Sequence, residues 1–166
     1  MLDAIQPEDI VLEIGAGDLR LARRMAKITR RVEAIEIQAG LLEMDYQAAQ
    51  GTGGDNLVIH QGDARILPFS SGTTVAVLLM RHCTHFGLYF HKLRQIGCQR
   101  LITNARWRMG VEVVQIFAPR VPYPEIELGW YACECGQVGF KPGPVDHIGP
   151  EIDAIVHEVI NCPKCQ

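Results

Sequence analysis

The chain has 166 residues, 48% of them hydrophobic and 21% charged, with a formal net charge of −3. That composition suits one domain, or one domain and a small module, and excludes disordered, collagen-like and disulfide-only chains. No apolar run reaches the roughly 18–20 residues of a membrane-spanning helix, and the N-terminus, MLDAIQPEDI, is acidic where a secretory leader is basic; the expectation is a soluble, cytoplasmic protein with no membrane partner.

Charge is distributed unevenly. Residues 1–19 carry five acids and no base, and 20–31 carry six bases (Arg20, Arg23, Arg24, Lys27, Arg30, Arg31) and no acid. From residue 125 onward there are seven acids and two bases. Local fields of this kind, not the net charge, decide which partners approach which surface.

In chain order, Ile10–Ile14 (IVLEI) is a short apolar run ending in the turn GAGD. Leu19 to about Ile28 repeats apolar residues at helical spacing, with Leu21, Met25 and Ile28 on one face. The six bases of 20–31 then form one continuous face opposite, where a helix could follow phosphates, or be merely solvated. Val32–Ile37 alternates like a strand, 39–50 is helix-prone, and Leu57–His60 is a strand leading into Gly62-Asp63-Ala64. Thr74–Met80 (TVAVLLM) reads as a strand buried on both faces. Residues 86–97 suit a helix, and Arg100–Asn104 and Val111–Phe117 suit strands. Strands alternating with helices predict an α/β fold with a doubly wound, mostly parallel, Rossmann-like sheet. Pro119, Pro122 and Pro124 then break regular structure. The predicted domains are 1–122 and a module at 126–166, the latter too small for a core without a staple.

Glycines at 15 and 17 directly after the first strand let backbone approach a ligand and turn tightly into a helix. Arg20 occupies the position of the third glycine in the dinucleotide fingerprint, which disfavours a nicotinamide or flavin oxidoreductase. Glu36, near the end of the second strand, stands where a carboxylate can accept hydrogen bonds from ribose hydroxyls. Taken in order, Glu13-Ile14-Gly15-Ala16-Gly17-Asp18, Glu36 and Gly62-Asp63-Ala64 resemble a class I S-adenosylmethionine-dependent methyltransferase over about residues 8–117. The resemblance implies S-adenosylmethionine as cofactor. Gly15 and Gly17 would approach its amino-acid moiety, Glu13 or Asp18 would hold its ammonium group, Glu36 its ribose, and Asp63 with Ala64 its adenine. About nine residues precede the first strand, where family members carry helices that cover the cofactor. The expectation is an open site, a truncated chain, or a protein partner that closes the site.

After the fourth predicted strand comes Met80-Arg81-His82-Cys83-Thr84-His85-Phe86. It matches neither the (Asp/Asn)-Pro-Pro-aromatic pattern of amine methylation nor the Pro-Cys nucleophile of pyrimidine methylation. Its place at a strand C-terminus makes His82 or His85 a candidate base and Arg81 a candidate anion clamp. A polar loop with satisfied histidines, or a Cys83–histidine metal cluster, are the alternatives. Trp107 beside Arg106 and Arg108 adds an aromatic among cations, as suits base stacking. Cys98 reads as a buried apolar residue.

Cys133-Glu134-Cys135-Gly136 and Cys162-Pro163-Lys164-Cys165 form two knuckles, and four thiolates so spaced can enclose one structural zinc. The segment resembles a zinc ribbon, with His147 and His157 as less favoured substitute ligands. The combined expectation is a methyltransferase with a zinc ribbon that aids recognition of an acceptor, by analogy RNA. The alternative is a non-catalytic methyltransferase-like scaffold that binds the cofactor or nucleic acid.

Overall fold

Short apolar runs that end at glycine or polar turns build a six-stranded sheet whose side chains alternate between two cores. The computed structural model describes residues 1–42, 55–106 and 110–165. Its elements are β1 (Ile10–Ile14), α1 (Arg20–Ala26), β2 (Arg31–Glu36), β3 (Leu57–Gln61), β4 (Val75–Leu78), α2 (Phe86–Gln95), β5 (Arg100–Thr103) and β6 (Glu112–Gln115). The strand order is β3-β2-β1-β4-β5-β6, parallel throughout except for antiparallel β6. This is the expected Rossmann-like α/β sheet. Val11, Val32, Val75 and Val77 pack with Ala22 and Met25 of α1, whereas Leu12, Ile14, Leu78 and Leu101 pack with Phe86, Phe90 and Leu93 of α2. Period-two alternation therefore sends successive residues of one strand to helices on opposite faces. The chain leaves β1 toward β2 and returns to β4 on the other side, so the order reverses between β1 and β4. In such sheets that point, at the strand carboxyl ends, is where a crevice opens.

The first helix is shorter than its periodicity implies. Leu19, at φ 58°, starts α1 from a left-handed residue. Past Ala26 the Thr29 hydroxyl donates to Met25 O (2.9 Å) and Arg30 N donates to Asp9 O (3.1 Å). The chain has already turned into β2, where Arg31 pairs with Glu33 at 3.0 Å. The six bases therefore do not form one helical face: Arg20, Arg23 and Arg24 ride α1, Lys27 caps it, and Arg30 and Arg31 lie beyond. Ile28, expected on the buried stripe, is 41% exposed. Of the helix expected at 39–50, residues 39–42 are helical and the remainder lies outside the described residues, as do Trp107 and Arg108.

A second sheet follows from β7 (Val121–Pro122), β8 (Gly129–Cys133), β9 (Val138–Lys141) and β10 (Val156–Ile160), in the order β7-β10-β8-β9. Val121–Pro122 thus pairs with β10 and belongs to this sheet. Its core is five residues, Ile126, Tyr131, Cys133, Val159 and Cys162, which is small for a free-standing unit.

Arg106 joins the two sheets. Its side chain is fully buried and donates to Glu112 of β6 (2.9 and 3.0 Å) and to Glu158 of β10 (3.1 and 2.5 Å). Burial alone would lower its pKa, but the two carboxylates hold it above the ordinary arginine value. Arg120 lies over the Phe90 ring at 4.7 Å and faces Glu158 at 3.6 Å, a second cation across the same seam. Removing one partner of a buried ion pair leaves the others uncompensated. Arg106→Ala should therefore lower stability by about 3 kcal/mol, read as a fall in the urea midpoint; a midpoint unchanged from wild type would refute the role of this seam.

Candidate functional site

The turn after β1 is held by the neighbouring strand. Gly15 N and Ala16 N both donate to Ile35 O, at 2.9 and 3.0 Å. Gly15 and Gly17 adopt φ of 74° and 58°, which favours glycine, and a Cβ on Gly15 would meet the Met80 sulfur at 2.9 Å. Arg20 is paired with Asp18 at 2.5 Å at the solvent edge of this turn.

Glu36 ends β2, and its carboxylate is almost fully buried. One oxygen accepts from Gly17 N and the other from Gln38 N, each at 2.8 Å. It thus ties the glycine turn to the loop after β2 and keeps lone pairs free for further donors. Glu13, 5% exposed, points to the same side of the sheet. One of its oxygens has no partner. Burial, with the charges of Asp18 and Glu36, pushes its pKa up to about 8, against the pull of the Ala22 amide.

A cavity of about 150 Å³ opens at the strand ends, lined by Ile14, Gly15, Ile35, Ile37, Gly62, Asp63, Ala64, Arg65, Met80 and Tyr89. It has room for one ring system, below the ~300 Å³ at which whole small-molecule sites begin. Of the predicted cofactor residues, Gly15, Asp63 and Ala64 line it directly, while Gly17 and Asp18 belong to the turn alongside and Glu13 and Glu36 to the strand ends next to it. Ile37, Met80, Tyr89 and Arg65 escaped the sequence reading. Ile37 and Met80 had a signal, since they lie one and two residues past the ends of β2 and β4; Tyr89 and Arg65 arrive from a helix and a loop that only the fold brings together.

Arg65 latches Asp63. Its Nε lies 3.0 and 2.8 Å from the two carboxylate oxygens, its Nη2 2.6 Å from one, and its backbone N donates at 2.9 Å. These bonds lower the Asp63 pKa and fill roughly the four acceptor positions of a carboxylate. Arg65 Nη1 also lies 3.5 Å from His85 Nε2. His85 precedes α2 and its ring stands edge-on to Tyr89, with centroids 6.5 Å apart. His85 is therefore the member of the predicted catalytic trio brought to the cavity mouth. Arg81 and His82 are exposed on the preceding turn, His82 at φ 59°. Cys83 packs at the edge of the α2 core, and burial raises its thiol pKa.

The second cluster is Cys133, Cys135, Cys162 and Cys165, whose sulfurs all lie within 4.8 Å of one another. Three pairs approach to 3.4, 3.6 and 3.7 Å without a disulfide. Four thiolates around zinc at ~2.3 Å stand ~3.8 Å apart, so the donor set fits that ion. Gly136 N and Cys165 N donate to Cys133 O and Cys162 O, each at 2.9 Å, closing both knuckles. Burial works against ionising Cys133, but amides of Cys135 and Cys162 and the neighbouring thiols bring its pKa below the ordinary value. Among the described residues this is the metal-capable group, and Cys83 is not gathered with His82 and His85 into another. His147 instead pairs with Glu127 at 3.1 Å. Cys98 is buried, as expected.

Residues 11–96, just over half of the chain, match the family described as methyltransferase domain. That match, with the mostly parallel sheet, the glycine turn and the acid that ends its second strand, marks the fold as that of a class I S-adenosylmethionine-dependent methyltransferase. The chain belongs to the methyltransferase domain family. It is 32% identical over 98 residues to a probable ribosomal RNA small subunit methyltransferase A of Methanosarcina barkeri, covering 52% of this chain and 33% of that one. It is 35% identical over 65 residues to a protein-L-isoaspartate O-methyltransferase of a Roseiflexus species, covering 38% and 30%. The fold is similar to a dimethyladenosine transferase from Plasmodium falciparum, with a TM-score of 0.52, 24% identity, and coverage of 60% and 36%. The chain spans about a third of the length of the curated relatives it matches. Among the described residues, no helix is long and apolar enough to cross a membrane.

Glu13 gives the site a pH signature. Its folded pKa of about 8 lies above the ordinary 4.5, so the folded state keeps a proton that the unfolded chain releases. The stability this contributes is full below pH 4.5 and is lost as pH rises through about 8. Urea unfolding of Glu13→Gln should remove that fall, which for one proton is at most about 1.4 kcal/mol per pH unit. Identical pH slopes in wild type and variant would exclude a protonated Glu13.

Proposed function

We propose that the chain is an S-adenosylmethionine-dependent methyltransferase domain acting on RNA, with a structural zinc ribbon at its C-terminus. The observation that carries the reading is the Glu36 carboxylate, buried at the end of β2, bridging two loop amides beside an apolar cavity. Bound there, the cofactor would supply a methyl group on a sulfonium, a strong electrophile. In this reading Glu36 accepts from the ribose hydroxyls on its remaining lone pairs. Ile37 and Met80 give the adenine apolar walls, and Gly15 and Gly17 let backbone approach the amino-acid end. Glu13 and Asp18 put carboxylates near that cationic end. Asp63 reaches the adenine once Arg65 swings off it, and Ala64 leaves space beside it. His85 is the group best placed to take a proton from the acceptor, and Arg81 stands ready for its phosphate. Catalysis is mainly alignment of acceptor and methyl group, worth several kcal/mol in oriented systems.

RNA as acceptor rests on the ribosomal RNA methyltransferase name of the Methanosarcina barkeri relative. The exposed Arg24, Lys27 and Arg30 beyond the glycine turn offer phosphate contacts. The ribbon is acidic, and Lys141, one of its two bases, is committed to the carbonyls of Tyr123, Pro124 and Ile126. Its aid to recognition is accordingly indirect, through the elements it braces, and the domain split runs between the two sheets. A second reading, a cofactor-binding scaffold without turnover, draws on the Arg65 latch that saturates Asp63.

Calorimetry on zinc-loaded protein should give micromolar S-adenosylhomocysteine binding, weakened at least about tenfold in Glu36→Gln, as loss of a charged acceptor implies. Transfer of labelled methyl to ribosomal RNA supports the enzyme, and binding without transfer to any RNA supports the scaffold. No binding overturns both. Metal analysis should return one zinc per chain, lost in Cys162→Ser together with thermal stability; a chain folded equally well without zinc would refute the structural ion.

A further inference from the structure

The two clusters described above are separated by one helix, and α2 touches both. On one side its first turn meets the Cys133–Gly136 knuckle with no side chain between. A Cβ on Gly87 would lie 3.2 Å from Cys135 Cα and 3.4 Å from Cys135 O, and a Cβ on Gly136 would lie 2.8 Å from Phe86 Cβ. Gly136 holds φ +96°, so the knuckle keeps that approach only with glycine there. Near the other end of the helix, Arg94 faces Glu134 of the same knuckle at 3.6 Å.

On its other side α2 sets the cavity. Tyr89 forms part of the wall. Lys92 Nζ donates to Ala64 O at 2.5 Å and to Leu67 O at 2.7 Å, and stands 4.0 Å from the centre of the Phe69 ring. The loop carrying Asp63, Ala64 and Arg65 is therefore hung from the same ten-residue helix that rests on the cysteine knuckle. Phe86, Phe90 and Leu93 are buried, so the helix moves as a packed body and cannot yield at one end alone.

We propose that the four-cysteine centre and the cofactor pocket are energetically coupled through α2, with Phe86, Gly87 and Gly136 as positioning residues, so that zinc and cofactor each tighten the binding of the other. The inference rests on the zinc and cofactor readings given above. The knuckle backbone takes its shape from four sulfurs converging on one ion. When the ion leaves, the knuckle loses the constraint that seats it on α2. Linkage then requires that whatever factor zinc applies to cofactor affinity, the cofactor applies to zinc affinity.

The test uses the whole chain, zinc, and S-adenosylhomocysteine as a ligand that cannot turn over. Zinc affinity is measured by chelator competition with and without saturating S-adenosylhomocysteine, and S-adenosylhomocysteine affinity by calorimetry with and without zinc. The expected result is the same factor both ways, at least about fivefold, the lower range of measured allosteric couplings. Gly87→Ala should still bind one zinc per chain and S-adenosylhomocysteine, with the factor reduced to within about twofold of unity. A link exerted only through global folding leaves the factor in Gly87→Ala at its wild-type size, and that overturns the assignment to α2. Zinc affinity unmoved by S-adenosylhomocysteine that does bind overturns the coupling alone. Absence of S-adenosylhomocysteine binding to the zinc-loaded protein overturns the cofactor reading and the coupling with it.

Discussion

The Glu36 carboxylate is the constraint on which the candidate site depends. Parallel strands end with their turns on one side of the sheet, and the start of the turn after β1 is tied to β2 by the bonds of Gly15 N and Ala16 N to Ile35 O. Glu36 holds Gly17 N with one oxygen and Gln38 N with the other, so the glycine turn and the loop after β2 share one anchor. Two backbone donors at the strand ends are satisfied by one carboxylate, and a charge-assisted bond is stronger than a neutral one. The arrangement has a cost next door. Glu13 cannot also ionise cheaply in the same low-dielectric corner beside Asp18 and Glu36, and its unpartnered oxygen marks that conflict. A cationic ligand would relieve it, which is the electrostatic argument for a sulfonium and ammonium at this turn.

The small sheet depends on the large one in a different way. Five core residues cannot offset the chain entropy of some forty residues. What the apolar core lacks is supplied at two places: the four-thiol cluster, and the seam where Arg106 and Arg120 meet Glu158. Arg106 is suited to that seam because its fork makes two bonds to Glu112 and two to Glu158 at once, more than the three donors of a lysine allow. The glycines at 87 and 136 complete the contact by letting two backbones touch.

Much of this was legible in the chain. Ile10–Ile14 is both the apolar run and the strand, because Pro7 and Gly15 bracket it. The mostly parallel sheet, the place of Glu36 near the end of the second strand and the pairing of four cysteines into two knuckles also follow from local pattern and spacing. The misjudged features share a cause: tertiary context overruled a local signal. Helical spacing continued to Ile28, but the Thr29–Met25 and Arg30–Asp9 bonds turned the chain away after Ala26. Pro119, Pro122 and Pro124 signal a break in regular structure, yet an edge position beside β10 lets Val121–Pro122 pair as a short strand. The Arg65 latch on Asp63 joins residues two apart whose geometry only a folded loop defines.

Those tertiary features are also where function becomes specific. The glycine turn and Glu36 would serve any member of the methyltransferase domain family, whatever it modifies. The loop at 63–67, by contrast, hangs from Lys92, and Lys92 sits on the helix whose first turn rests against Cys135. A change at the knuckle therefore reaches Asp63 without crossing β1, β2 or the Glu36 anchor. In the proposed reading the cofactor's amino-acid and ribose ends meet the turns of the large sheet, and its adenine end meets the loop that Lys92 holds to α2. Because the small sheet leans on the large one, the contact of α2 with the knuckle, rather than either core, is where a change in the cysteine module passes to that loop.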